Sequence, residues 1–321
     1  MKKVLIAGLA LSLASTQAVA QTQFRVVSAF PSGTPQSGII VDFIDHVNKQ
    51  CSDVKLLLIG GPEAVPTYES GDAVRRGVVD IAYTANSFYS SLLPEIASVR
   101  LSTNSVSDQR ENGAWEYLNR LHNEKMNVQY LARVADGVPF HLYFTREVDP
   151  LNLSGVPLQG GAAHRAFLDA LGATMIQSPP GEMYTNLERG VAVGYAWVNF
   201  GIFDFGWAEL TKYRVEPGYY VADAEILVNL DRWNALSEAG RACLNGAAAW
   251  IEGRADVIRE FGLSEIERQN AAGIKAIVLE GERRAEFLKR ANDAGWAELK
   301  RNAPEHAARL RELMAPGSEE K

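Results

Sequence analysis

Short apolar runs alternate with amphipathic segments along the first part of the chain. Residues 24–29 read FRVVSA, a strand-like run broken by Pro31-Ser32-Gly33. Ile40, Phe43, Ile44 and Val47 then recur at helical spacing, which predicts a helix over 39–48. Residues 54–59 (VKLLLI) form a buried-strand run closed by Gly60-Gly61-Pro62. A helical stretch over 68–76 stops at Gly77, and 78–83 (VVDIAY) is the next strand. This β-α-β-α-β rhythm predicts an α/β domain with a mostly parallel sheet.

The rhythm returns later. Residues 140–144 (FHLYF) read as a strand, 163–171 as a helix stopped by Gly172, and 173–177 as a short strand closed by Pro179-Pro180-Gly181. A helix over 182–189 stops at Gly190, and 191–197 is another strand. From 234 to 271 nearly every residue suits a helix, with Ala, Leu, Glu and Arg dominant. Residues 274–278 form a strand, and 282–299 and 304–314 further helices. The pattern predicts two α/β lobes with a long helix lying across both. In such folds a ligand sits in the crevice at the carboxyl ends of the strands.

The start of the chain does not join this pattern. Lys2 and Lys3 precede an apolar stretch over 4–14, and Ala18-Val19-Ala20 places small residues where a signal peptidase reads. Residues 1–20 are therefore read as a cleavable leader that leaves Gln21 first. The apolar stretch is far short of the ~20 residues of a membrane span, and no Cys follows it closely enough for a lipid anchor. The formal charge of −7 loses two lysines and no acid with the leader, becoming about −9. An acidic chain of this kind is a poor ligand for nucleic acid or anionic membranes. Cys51 and Cys243 are too few for a disulfide framework; export permits a bridge, and the sequence leaves open whether they form one.

Motifs for chemistry are missing. The chain has no G-x-S-x-G elbow, G-x-G-x-x-G loop or Walker loop. Histidines 46, 122, 141, 164 and 306 are scattered without zinc spacing, and His46 and His122 read as solvated surface residues. No catalytic group, cofactor or metal site is predicted. The aromatic residues are more informative. Tyr195, Trp197, Phe200, Phe203, Phe205 and Trp207 crowd the stretch GYAWVNFGIFDFGW. Some of these rings belong to the core, and others can wall a small-ligand site at a strand end.

Three stretches resemble the extracytoplasmic (DctP-type) solute-binding subunits of tripartite ATP-independent periplasmic (TRAP) transporters. They are 63–80 (EAVPTYESGDAVRRGVVD), 154–194 (SGVPLQGG through SPPGEMYTNLERGVAVG), and 207–236, where WAELTKY leads through PGYY to DRWNAL. The resemblance covers nearly the whole mature chain. Pro62 to Glu69 and the Trp-Val after Gly194 are most similar to the branch that binds 2-oxo acids. The resemblance implies a two-lobed periplasmic-binding-protein fold that closes around its ligand and hands it to a membrane permease.

The departures from that family concern charge. Gln159 stands where the family has the Arg that grips a ligand carboxylate, and Pro157 stands for the preceding Lys. Ala196 replaces a Glu that helps hold a metal ion in the 2-oxo-acid branch, and Val193 replaces an Asp. A neutral solute fits these changes, as does an acid gripped elsewhere by Arg165, Arg133 or His141.

The resulting expectation is a periplasmic receptor for a small organic solute, with no catalysis. Trp197 and Tyr195 wall the ligand, Gln159 and Asn199 hydrogen-bond to it, and Tyr219 and Tyr220 close the second side with His141 nearby. Phe30, Asn86 and Phe88 contribute from the first lobe. The lobes are expected to divide as 21–135 with 222–262 and 136–221 with 263–314, leaving 315–321 as a disordered tail. The helical 304–314 segment permits a homodimer. The alternative is an exported sensor on the same fold that presents its ligand to a membrane kinase.

Overall fold

A computed structural model describes residues 21–317, so the leader at 1–20 and positions 318–321 of the tail lie outside the described residues. The first part of the chain gives β1 (Thr22–Ser28), α1 (Pro35–Gln50), β2 (Val54–Gly60), α2 (Ser70–Arg75), β3 (Ile81–Thr84) and α3 (Asn86–Tyr89). A 3-10 segment, Pro94–Leu101, leads to α4 (Val106–Glu111), α5 (Ala114–Met126) and β4 (Val128–Val134). The chain then crosses to a second sheet with β5 (Pro139–Phe144), β6 (Pro157–Gly160), α6 (Arg165–Ala170), β7 (Thr174–Gln177), α7 (Pro180–Glu188), β8 (Gly194–Val198), β9 (Tyr213–Glu216) and β10 (Tyr219–Val221). It returns for β11 (Ala224–Asn229), α8 (Leu230–Asn234) and α9 (Glu238–Glu252). Last come α10 (Ala255–Ala271), β12 (Lys275–Val278), α11 (Gly281–Asn302) and α12 (Pro304–Met314).

Local chemistry explains several boundaries. Thr34 caps α1 by accepting the Ser37 N–H, and Pro35 occupies the first turn, where a missing N–H is harmless. The predicted stops Gly77, Gly172 and Gly190 all take positive φ, at 71°, 81° and 68°, the conformation that a bulkier residue resists. The helix-compatible run 234–271 is divided at Gly253-Arg254 into α9 and α10.

The first sheet runs β2-β1-β3-β11-β4 and the second β12-β9-β5-β8-β6-β7, with β10 beside β5. β1 pairs parallel with β2 and β3, while β11 is antiparallel to β3 and β4. In the second sheet β6 is parallel to β7 and β8, and β5 is antiparallel to β8 and β9. The sheets are thus mixed rather than mostly parallel. The cause is the chain path: β5 and β11 each begin where the chain has just crossed between lobes. They start at the edge where β1, β3, β6 and β8 end, so they run the other way.

Cys51, just after α1, is bonded to Cys243 on α9, which joins two helices of the first lobe. The helix that lies across both lobes is α11. Phe287 and Ala291 pack with Leu142, Phe144 and Phe167 of the second lobe, and Trp296 and Leu299 pack with Val99 and Leu118 of the first. A Cβ on Gly295 would overlap the Leu101 side-chain methyls, so a larger residue there would push Leu101 aside. α12 follows onto the first lobe through Leu310, Leu313 and Met314. The expected assignment of 263–314 to the second lobe is therefore crossed by the chain midway along α11. Ala315, expected in a disordered tail, is buried. Among the described residues no helix is long and apolar enough to cross a membrane.

Candidate functional site

The strand ends dictate where a site can form. β1 ends before Phe30, β3 before Ala85, β6 before Gly161, β7 before Ser178, and β8 at Val198; all five residues line one cavity between the two sheets. The cavity measures about 50 Å³, room for roughly three or four waters. Its first-lobe wall is built from Phe30, Tyr83 and Phe88, with ring centroids 5.4 Å (Phe30 to Tyr83) and 5.7 Å (Phe30 to Phe88) apart. The second-lobe wall holds Phe140, Trp197 and Phe200. Trp197 stands edge-on to Trp207 at 5.1 Å and Phe205 at 5.7 Å, so its ring plane is fixed by packing.

The polar groups are few and asymmetric. Asp223 lines the cavity from the crossing before β11. Its carboxylate accepts the Asn86 backbone N–H at 2.9 Å and also the Asn86 side-chain amide. Burial pushes its pKa up to about 6, while the Asn86 N–H, Arg133 and Arg100 pull the other way. Asp223 is therefore mostly ionised at neutral pH. One pleat along, Glu225 is fully buried, and neither carboxylate oxygen has a partner. Burial first, then the neighbouring Asp223 charge, hold Glu225 well above the ordinary carboxylate range, so it is the neutral member of the pair.

Behind Glu225, its cross-strand partner Arg133 donates to Gln109 at 2.9 Å and lies 3.6 Å from Asp136. His164 lines the opposite wall with Nδ1 3.0 Å from the Tyr219 hydroxyl. Burial, with help from Arg100, lowers its pKa to about 3, so its ring is neutral. Gln36 also lines the cavity; its Nε2 donates to the Phe200 carbonyl at 3.4 Å, and its Oε1 is buried without a partner. No Lys or Arg is among the lining residues.

The structure distributes the ten expected site residues unevenly. Phe30, Phe88 and Trp197 are on the cavity wall. Asn86 sits one shell back, fixing Asp223. Gln159 is fully buried off the wall, donating to the Met183 carbonyl at 2.9 Å and accepting from Asn186 at 3.1 Å. Tyr195 stacks on Tyr143 at 4.9 Å and bonds Thr211. Asn199 packs against Gly262 of α10, and its carbonyl accepts from Gln269. Tyr219 reaches the site only through His164, and Tyr220 faces a separate cleft beside Arg100 and Ala291. His141 is buried against the Val215 carbonyl and Glu216. Of the rings of 194–207, Trp197 and Phe200 reach the cavity, whereas Trp207 and, against expectation, Tyr195 belong to the core. His122, read as a surface residue, is buried between Tyr89 and Tyr130.

Asp223, Gln36 and His164 are the charged, amide and imidazole side chains of the lining that the sequence reading missed, along with Tyr83 and Phe140 of the aromatic walls. Asp223 had a signal: V-A-D-A-E-I-L-V sets two acids inside an apolar strand, where acids seldom lie buried without a role. The metal implied by the 2-oxo-acid branch does not fit. Ala196 lines the cavity with a methyl group where that branch has a Glu, and among the described residues no three His, Cys, Asp or Glu side chains cluster to hold an ion.

Comparison with known proteins agrees with this fold. Residues 28–301 match the family model of bacterial extracellular solute-binding protein, family 7. A monocarboxylate 2-oxoacid-binding periplasmic protein from Nostoc is 24% identical over 195 residues, 57% of this chain and 52% of that protein. The chain thus spans about half the length of the curated relative it matches. Among solved structures, a TRAP transporter solute-binding protein from Bordetella bronchiseptica, with calcium and picolinate in its active site, superposes with TM-score 0.81 at 19% identity over 92% of both chains. A Bordetella pertussis receptor for pyroglutamic acid gives 0.80 at 15% identity, over 91% of this chain and 99% of that one. A marine metagenome protein with bound 3-hydroxybenzoate gives 0.77 at 19% identity, over 94% and 100%.

Proposed function

The chain belongs to bacterial extracellular solute-binding protein family 7, and we propose that it is the periplasmic receptor of a TRAP-type transporter for a small, ring-bearing organic solute. The observation that carries this reading is the cavity itself. It lies between two lobes at strand carboxyl ends, is walled by six Phe, Tyr and Trp rings, and holds one carboxyl side chain. A ring fits between Phe30 and Phe88 on one lobe and Trp197 on the other, so a bound solute touches both lobes and favours their closed arrangement. The present cavity is short of the room a ring needs, so the lobes part to admit it. The chain crossings at 135–138 and 222–223 supply the joint; they are tied by the Ala222 N–H donating to the Val138 carbonyl at 2.7 Å. The similar structures hold picolinate, pyroglutamic acid and 3-hydroxybenzoate, all small rings, which supports this size and shape. Closure then presents the solute to the membrane permease after the leader has directed the chain to the periplasm.

A thermal-shift screen of small ring compounds carrying carboxylate, amide or amine groups tests the reading. A solute that binds the folded chain raises its melting temperature by mass action. At least one such compound should do so, and no shift across the whole screen sinks the receptor reading.

A further inference from the structure

The hydrogen-bonding balance of the cavity is one-sided, and this goes beyond the receptor reading on which it rests. Most wall donors are already engaged. Trp197 Nε1 donates to the Phe200 carbonyl at 3.2 Å, Gln36 Nε2 donates to the same oxygen, and the Asn86 N–H groups are held by Asp223. Free acceptors remain. Each Asp223 oxygen keeps lone pairs beyond its bond to Asn86. Gln36 Oε1 is also without a partner, but it is fully buried behind the cavity surface and out of a solute's reach. Tyr83, Ser87 and Ser178 bear hydroxyls that serve either way.

Charge points in the same direction. Arg133 and Arg100 act on Asp223 only through their charge; they are bonded to Gln109 and Asp136, and to Glu298, each keeps a buried Nε without a partner, and neither lines the cavity. Arg165, the other candidate to grip an acid, is exposed on α6 and is absent from the wall. A solute carboxylate would therefore meet the buried Asp223 carboxylate with no cation on the cavity wall between them, a costly arrangement. An N–H group, and most of all an ammonium among aromatic rings, would satisfy the Asp223 carboxylate.

We propose that the cavity selects a small ring-bearing solute that donates N–H hydrogen bonds, from an ammonium or amide group, to Asp223. Asn86 acts as a positioning residue that aims the Asp223 carboxylate from the first lobe.

Matched triplets decide this. Phenyl, furyl and cyclopentyl rings, each bearing a carboxylate, a carboxamide or an aminomethyl group, are ranked by calorimetry on the intact mature chain at neutral pH. The aminomethyl and carboxamide members should bind more tightly than the carboxylate of the same ring. Asp223→Asn should weaken aminomethyl binding by about 10- to 100-fold, the scale of a lost charge-assisted hydrogen bond, and should bring the carboxylate closer to the others. If carboxylates bind as tightly as their partners or more tightly, the inference falls while the receptor reading stands. If no member of any triplet binds, and the wider screen also gives no shift, both fall. Should Asp223→Asn fail to fold, the ranking on the natural chain still decides.

Discussion

Single residues show where burial overrides what a residue type suggests. Glu225 has no partner for either oxygen and faces Arg133 across the strand pair, Asp223 in the crossing just before its own strand, and Tyr83 from β3. Its raised pKa sets a sign. A carboxyl that is harder to ionise when folded supports the fold fully below its unfolded value of about 4.3 and withdraws that support as pH rises through the folded value. Glu225→Gln removes the titration, so the stability advantage of the variant over the natural chain should grow from pH 5 toward pH 9 in urea titrations; a constant difference would mean Glu225 titrates normally. Gln159 gives a second case. Its side-chain bonds to Met183 and Asn186 make it a brace for α7. Gln159→Ala should cost about 1–3 kcal/mol of stability, the price of a stranded buried acceptor, with solute affinity nearly unchanged. The opposite pattern, weak binding at full stability, is what a ligand contact would produce.

Elements were more legible in the chain than the contacts between them. The periodic runs at 24–29, 39–48 and 54–59 match β1, α1 and β2 because an apolar period reports directly which face is buried. The division of 234–271 was hidden, since nothing local distinguishes Gly253 from the glycines that α9 and α10 carry inside them at 246 and 262. Orientation was hidden too: β11 is apolar in either direction, and only the chain's return from the second lobe makes it antiparallel. The site divided in the same way. Phe30, Phe88 and Trp197 follow or end strands and could be placed, whereas Gln36 reaches the cavity only because Gly201 leaves space beside it. The Cys51–Cys243 bridge joins positions 192 residues apart that no spacing rule connects. Replacing both cysteines with alanine should lower stability by about 2–4 kcal/mol, measured by denaturant unfolding, and leave the solute ranking unchanged because the bridge lies within one lobe.

At the scale of the whole molecule, two mixed sheets face each other across a cavity, and α11 ties both lobes from outside. The family resemblance was legible in three stretches, and the match over 28–301 agrees with it. What the family pattern could not supply was the charge of the site, because Asp223 acts through burial and through Asn86, neither of which a motif displays. The central claim is that the solute binds between the lobes against Trp197. A titration of Trp197 fluorescence with the tightest-binding member of the screen tests this most directly. The account predicts a saturable change that matches the calorimetric affinity and disappears in Trp197→Phe, although the other tryptophans remain. Saturable binding by calorimetry with no Trp197 response, and with equal affinity in Trp197→Phe, would contradict it.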